Sequence, residues 1–132
     1  MSTKYERELR KILEKYNFFV IRSAGSKSID LISVLPLNKN AMPDRLGVFF
    51  IEEKSTHKEK FYVTKREETK DQYDMNKRLN KQYGIFVYYA IRYISNKKEK
   101  IWEVYEPDYN SDDYPVFRKG EGTSLMDWID SL

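Results

Sequence analysis

Residues 47–55 read Gly-Val-Phe-Phe-Ile-Glu-Glu-Lys-Ser, an apolar run that ends in three charged side chains. A continuous apolar run is typical of a strand covered on both faces, so we expect this segment at the centre of a sheet. Side chains two residues apart in a strand project from the same face. Glu52 and Lys54 should therefore face one side of the sheet, and Glu53 the other.

The sequence before this strand begins with a helix. Apolar residues recur at helical spacing over residues 4–16, and Thr3 with Glu6 fits a capping box at the start of that segment. Asn17 is suited to a left-handed position that ends a helix. We therefore predict a first helix over residues 4–16.

Two further strands are predicted between this helix and the central strand. Residues 18–22 are apolar and partly β-branched, which indicates a buried strand. Residues 29–35 predict a second strand, in which every residue is apolar or small except the acid Asp30. Small polar residues at 23–28 predict a turn, and the two prolines and two asparagines of residues 36–46 predict an exposed connection.

The second half of the chain predicts an edge strand, a polar helix and a hairpin. The predicted elements are a short edge strand at 61–63, a helix at 65–83, strands at 85–94 and 101–106, and a short helix that begins at 124–127. The long helix has one apolar stripe, Met75, Leu79 and Tyr83, and Gly84 closes it. The order αββββαββα predicts a single α/β domain over residues 1–132, with a central mixed sheet flanked by helices.

The composition excludes several kinds of site. The chain of 132 residues has no cysteine and a single histidine, His57. A disulfide framework, a thiolate zinc site and a histidine cluster are therefore excluded, and a Ser-His triad is disfavoured. No apolar run is long enough to cross a bilayer, and the first residues lack the apolar core of a secretory signal. We expect a soluble, intracellular (cytoplasmic) protein without membrane contact.

The charge of the chain is unevenly distributed. The first 100 residues carry a net charge of +9, whereas the whole chain carries only +3. A basic body suits a polyanionic partner such as nucleic acid, and the alternative is a solvated surface rich in Lys and Glu. Lys65 and Arg66 begin the long helix, where positive charge opposes the helix dipole. This placement favours an external anion, with a solvated surface again the alternative.

Asp30, Glu52 and Lys54 together suggest hydrolytic chemistry. Two carboxylates can bind a hard divalent cation such as Mg²⁺, and a lysine beside them can orient the attacking water or help to deprotonate it. On spacing alone, Glu52 and Lys54 could equally form a surface ion pair on an edge strand. Their apolar surroundings favour the metal site, because burial penalises carboxylates unless a cation offsets their charge.

Four segments, taken in order, resemble successive motifs of the archaeal-type Holliday junction resolvases, a family of PD-(D/E)xK nucleases. They are residues 6–9 (Glu-Arg-Glu-Leu), 20–27 (Val-Ile-Arg-Ser-Ala-Gly-Ser-Lys) ahead of Asp30, 51–55 (Ile-Glu-Glu-Lys-Ser) and 61–67 (Phe-Tyr-Val-Thr-Lys-Arg-Glu). The resemblance covers about residues 4–106, and residues 122–132 are similar to the family's tail. It implies the restriction-endonuclease-like fold.

The resemblance also implies an activity and its site residues. It implies a homodimeric endonuclease that nicks four-way DNA junctions symmetrically, using Mg²⁺ or Mn²⁺ and no small-molecule cofactor. The implied metal ligands are Asp30, Glu52 and the carbonyl of Glu53, with Glu6 at the edge of the metal site and Lys54 as the water-activating cation. Ser26 is implied in catalysis, and Arg7, Arg22 and Lys27 lie near the scissile phosphate in this interpretation.

Two alternatives stay open. The chain could be a related nuclease of another DNA specificity, such as a restriction or repair enzyme, or a DNA-binding module whose metal site has decayed. Intact Asp30, Glu52 and Lys54 argue against decay, because a binding surface has no use for acids facing phosphate.

The expected dimer needs an apolar surface between the chains. We expect it from the Met75, Leu79 and Tyr83 stripe and from the aromatic strand that holds Tyr88, Tyr89 and Tyr93. The alternative is that these tyrosines cover the sheet beneath the first helix.

Overall fold

The structure is a computed structural model that describes residues 4–23, 29–36 and 46–132. Its helices are α1 (Lys4–Lys15), α2 (Glu67–Tyr83) and α3 (Leu125–Asp130), and a 3₁₀ turn lies at Val63–Lys65. Its strands are β1 (Phe19–Arg22), β2 (Leu31–Pro36), β3 (Leu46–Thr56), β4 (Lys60–Tyr62), β5 (Val87–Tyr93), β6 (Ile101–Tyr105), β7 (Val116–Arg118) and β8 (Thr123–Ser124). The predicted connection at 36–46 falls largely on residues 37–45, which lie outside the described residues.

The main sheet has six strands in the order β1-β2-β3-β5-β6-β8. Strands β3 and β5 pair in parallel, and the other neighbours pair antiparallel, so the sheet is mixed as predicted. The predicted edge strand at 61–63 corresponds to β4, which pairs with β7 in a separate two-stranded sheet. Strands β7 and β8 were not predicted, because segments of two or three residues are too short to show alternation.

Helices cover both faces of the sheet. On one face, Leu9 and Leu13 of α1 and Trp128 of α3 pack with Phe49 and Ile51 of β3. On the other face, Tyr73 of α2 packs with a second buried cluster drawn mainly from β5, with Phe50 of β3 packed against it. The prediction that β3 lies at the centre of the sheet is therefore confirmed.

Three predicted helix ends are present. Asn17 takes a left-handed backbone with φ of 72°, and Gly84 does the same with φ of 69° at the end of α2. The Ser124 hydroxyl caps α3 by accepting a hydrogen bond from the backbone N–H of Asp127. The predicted start of the long helix is wrong by two residues, because Lys65 ends the 3₁₀ turn and Arg66 is the residue before α2.

The strand predicted at residues 18–22 is present as β1, but the prediction that it is buried is wrong. Strand β1 is the edge of the sheet, and Phe19 and Ile21 are 67% and 45% exposed. Pairing puts these side chains on the same face as Ile32 and Val34 of β2 and Val48 of β3, which is itself 49% exposed. We call these five residues the open face. It lies on the α2 side of the sheet, but the buried cluster under α2 is centred on β5.

The predicted apolar stripe of the long helix is not its buried side. The buried residues of α2 are Gln72, Tyr73 and Asn76, whereas Tyr83 is 70% exposed. Met75 and Leu79 are half-buried. The periodic apolar pattern failed here because α2 turns two amide side chains, rather than an apolar stripe, toward the polar residues of β3.

The tyrosines of the second half serve the core of the chain itself. Tyr89 and Tyr93 are buried in the cluster under α2, together with Tyr105 and Tyr109. Tyr88 packs against the cluster under α1. The expectation that Tyr89 and Tyr93 supply an interface between chains is therefore wrong. None of the described helices is both long and apolar enough to span a membrane.

Candidate active site

Hydrogen bonds on three of its groups fix Asp30 between the central strand β3 and the end of β1. Its backbone N–H donates to the carbonyl of Ile51 at 2.9 Å, and its own carbonyl accepts from the backbone N–H of Ser23 at 3.0 Å. Its carboxylate accepts from the backbone N–H of Glu53 at 2.7 Å. The prediction that Asp30 lies inside a strand is wrong: Ile29 has φ of 46°, so β2 begins only at Leu31.

Glu52 lies on β3 and has no exposed surface. Its Oε1 accepts a long hydrogen bond of 3.3 Å from the side-chain amide of Asn76. Its Oε2 is buried and accepts no hydrogen bond from the described residues, and the Asp30 carboxyl lies close enough to share a proton with the Glu52 carboxyl. Burial, and then the negative charge of the neighbouring Asp30 carboxyl, raise the pKa of Glu52 well above its usual range.

Lys54 lies on the same face of β3, two residues beyond Glu52. Its Nζ donates to Oε1 of Gln72, and its positive charge favours the ionised form of Glu52. A surface ion pair on an edge strand is excluded, because β3 lies between β2 and β5 and Glu52 is fully buried. The predicted grouping of Asp30, Glu52 and Lys54 is thus present in the fold.

Gln72 and Asn76 complete this cluster, and the sequence analysis missed both. They lie one turn apart on the buried side of α2, where each holds one polar side chain of β3. Asn76 also donates to the hydroxyl of Tyr89 at 3.0 Å. The signal in the sequence was a pair of amides at i, i+4 spacing, which share one face of a helix.

Glu6 occupies a separate position at the side of the sheet. Its Oε1 accepts from Nε of Arg22 at 2.7 Å, so the two side chains form an ion pair between α1 and β1. Among the described residues, no three acid or histidine side chains form a group that could hold a metal ion. The structure therefore does not bring Glu6 together with Asp30 and Glu52, and the side chain of Glu53 points to the opposite face.

A cleft of about 660 Å³ opens beside Lys54, between the end of β3, strand β4 and the beginning of α2. Its charged lining consists of the cations Lys54, Lys58, Lys60, Lys65 and Arg66 and the acids Glu53 and Glu68. We call it the basic cleft. Lys65 and Arg66 are exposed in it, as a binding role would require. Arg7 is exposed on α1. Ser26 and Lys27 lie outside the described residues.

The side chains of Asp30 and Glu52 are suited to a divalent cation. Carboxylate oxygens are the ligands that Mg²⁺ prefers, and Mg²⁺ sites in proteins commonly rest on one or two carboxylates. The unpartnered Oε2 of Glu52 is a buried oxygen without a donor among the described residues, and the neighbouring Asp30 adds a second negative charge. A bound cation would give the Oε2 of Glu52 a partner and offset the repulsion between the Glu52 and Asp30 carboxylates.

Three comparisons identify relatives of this chain. The model of the family described as archaeal Holliday junction resolvase (Hjc) matches residues 2–132. The crossover junction endodeoxyribonuclease Hjc of Methanocaldococcus jannaschii is 44% identical over 67 residues, which are 50% of this chain and 43% of that protein. The alignment thus spans less than half of that relative. The solved structure of Archaeoglobus fulgidus Hjc, a Holliday junction resolvase from an archaeal hyperthermophile, superposes with a TM-score of 0.64.

That superposition covers 96% of this chain and 93% of the Archaeoglobus chain at 16% sequence identity. At this identity the likeness concerns the fold, and it confirms the mixed α/β architecture with a central mixed sheet. The family model, which matches nearly the whole chain, carries the assignment. This chain belongs to the archaeal Holliday junction resolvase family.

Proposed function

We propose that residues 1–132 act as one nuclease domain that resolves four-way DNA junctions by paired, metal-dependent phosphodiester hydrolysis. The observation that carries the proposal is the fully buried carboxyl of Glu52, with the half-buried Asp30 and Lys54 beside it. A carboxyl buried next to a second acid is costly unless a cation and a function require it. Family membership supports junction DNA as the substrate, and such a substrate requires an intracellular enzyme.

The proposed metal ligands are Asp30, Glu52 and the backbone carbonyl of Glu53. Mg²⁺, with Mn²⁺ as a substitute, would when bound polarise the phosphate and lower the pKa of a bound water. The backbone N–H of Glu53 holds the Asp30 carboxylate in place beside β3. Asn76 holds one oxygen of Glu52, which leaves the other oxygen for the metal.

Lys54 is proposed to orient the attacking water and to stabilise negative charge on the phosphate. A lysine on a flexible stem needs a partner to fix its ammonium, because its side chain otherwise samples many rotamers. The hydrogen bond to Gln72 supplies that partner. Gln72 is therefore a positioning residue in this mechanism.

The proposed DNA contacts lie around this cluster. Arg22 is expected to bind the scissile phosphate, and Glu6 to orient Arg22 through their ion pair rather than to bind the metal itself. Lys65 and Arg66 in the basic cleft are proposed as further DNA contacts. By resemblance alone, we also propose DNA contacts for Arg7 and Lys27 and a catalytic role for Ser26.

We propose that the enzyme is a homodimer whose interface includes the open face. Resolution of a junction requires two nicks in strands related by two-fold symmetry, and a symmetric dimer supplies two active sites. A monomer rarely exposes a contiguous apolar sheet surface such as Phe19, Ile21 and Val48 without covering it. The exposed Tyr83 of α2 is a further candidate for this interface.

The test is cleavage of a synthetic four-way junction compared with a duplex of equal length. We expect cleavage of the junction in Mg²⁺, loss of cleavage in EDTA, and little cleavage of the duplex. Asp30→Asn should abolish cleavage while junction binding is retained, because it removes a metal ligand and a negative charge facing phosphate. Asp112→Asn, which removes the charge of an exposed aspartate outside the lining of the cleft, is the control.

The alternatives predict other outcomes of the same experiment. A restriction- or repair-type nuclease would cut the duplex as readily as the junction. A decayed DNA-binding module would bind the junction without cutting it in any divalent metal. Either result would overturn the proposed activity.

A further inference from the structure

The basic cleft lies next to the candidate metal site. Lys54 lines it together with residues of β4, the 3₁₀ turn and the first turn of α2. A DNA strand with its scissile phosphate at Lys54 would therefore have an open path into the cleft. Its lining includes five cations and the exposed acid Glu68, whereas the side chain of Glu53 points to the opposite face, so the net charge of the cleft suits a second phosphate.

Four cations of the cleft have no acidic partner in the part of the chain that the structure describes. The chain has 21 acids, yet within the described residues no ion pair is formed by Lys58, Lys60, Lys65 or Arg66. Elsewhere in the described part of the chain, Arg22 and Arg92 are each paired with a glutamate. The charges of the cleft are thus available to an external anion.

Two of these cations lie close to each other. Lys58 and Lys65 line the same cleft, and the nearby positive charge of Lys58, followed by burial and Arg66, lowers the pKa of Lys65. Two like charges at close range repel each other, and both side chains are exposed and could turn apart. An anion bound between them would convert this repulsion into attraction.

We propose that Lys58 and Lys65 together hold a second phosphate of the cleaved DNA strand, a neighbour of the scissile phosphate, inside the basic cleft. The inference rests on the proposed nuclease function and adds a specific contact to it. The contact would fix the register of the DNA strand, because phosphate contacts position a protein on DNA without reading the bases. The strand would then present one particular phosphate to Asp30, Glu52 and Lys54.

The experiment couples changes in the protein to changes in the DNA. Methylphosphonate linkages, which are uncharged, replace one phosphate at a time on both sides of the cleavage point of a junction. Binding is measured for the wild type and for the double variant Lys58→Gln/Lys65→Gln, with Ca²⁺ replacing Mg²⁺ to keep the strand intact. The matched control is Lys11→Gln/Lys81→Gln, in which two exposed lysines outside the cleft lose the same charge.

At one linkage within a few nucleotides of the cleavage point, we expect neutralisation to weaken wild-type binding about tenfold, as loss of a charged hydrogen bond does. The same linkage should have no further effect on the Lys58→Gln/Lys65→Gln variant, whereas its effect should persist in the control. If every uncharged linkage weakens binding of the Lys58→Gln/Lys65→Gln variant as much as binding of the wild type, the inference is overturned. Because binding alone is measured, the result does not depend on cleavage, and failure of the proposed nuclease activity would appear separately in the junction cleavage assay.

Discussion

Glu52→Gln should stabilise the metal-free protein while it abolishes cleavage. The carboxyl of Glu52 has no exposed surface, one oxygen without a partner, and the charge of Asp30 beside it. Gln has nearly the same shape, its carbonyl can still accept the hydrogen bond from Asn76, and it carries no charge. Gln removes the buried charge that burial and Asp30 disfavour, and its amide N–H can donate toward the Asp30 carboxylate, so the variant should gain about 1–3 kcal/mol at pH 8.

Urea denaturation at pH 8 without divalent metal measures this difference. Adding Mg²⁺ at about 100 times its dissociation constant should stabilise the wild type by about 2.7 kcal/mol and leave Glu52→Gln nearly unchanged. Glu68→Gln is the control, since it removes an exposed glutamate and should change neither value. A variant less stable than the wild type without metal, or one stabilised equally by Mg²⁺, would refute the account of Glu52 as a metal ligand.

Further predictions concern three other contacts. Gln72→Ala should slow single-turnover cleavage about tenfold with little change in junction affinity, because it releases Lys54. The control Gln82→Ala, on the exposed side of α2, should leave the rate unchanged. Equal cleavage rates for Gln72→Ala and wild type would exclude the positioning role of Gln72. Burial opposes ionisation of Glu8, but hydrogen bonds from Arg92 and Trp102 and the charges of Arg92 and Lys100 outweigh it and lower its pKa. The ionised Glu8 therefore stabilises the fold above pH 4.5, and this stabilisation is lost as the pH falls through the lowered pKa. In urea denaturation, the difference in stability between wild type and Glu8→Gln should shrink at acid pH. A difference that stays constant with pH would contradict this prediction. Phe19→Asp on the open face should convert a species of twice 15.9 kDa to one of 15.9 kDa in sedimentation equilibrium, and an unchanged mass would exclude β1 from the interface.

The central part of the fold followed from the sequence because its signals are local. A continuous apolar run identified β3, and a helical period with a left-handed Asn17 identified α1. The same run ending in Glu52 and Lys54 identified the candidate site. The apolar residues before them indicated that these charged side chains are not ordinary surface residues, and the fold confirms that Glu52 is buried.

The features that the sequence did not predict depend on distant partners. The exposure of Phe19 follows from the position of β1 at the sheet edge, and sequence patterns do not distinguish an apolar edge strand from a buried one. The buried side of α2 could not be found from apolar periodicity, because Gln72 and Asn76 are buried to bind polar groups of β3. Asp30 lies outside β2 because Ile29 adopts a left-handed backbone, which its residue type disfavours.

Paired incision tests the central claim most directly. A supercoiled plasmid with an extruded cruciform is incubated with the wild-type protein and Mg²⁺, and the linear and nicked circular products are quantified over time. The account predicts that linear plasmid forms with little free nicked circle, because a symmetric dimer cuts both strands within one encounter. Accumulation of nicked circles alone, or equal cutting of a plasmid without the cruciform, would contradict it.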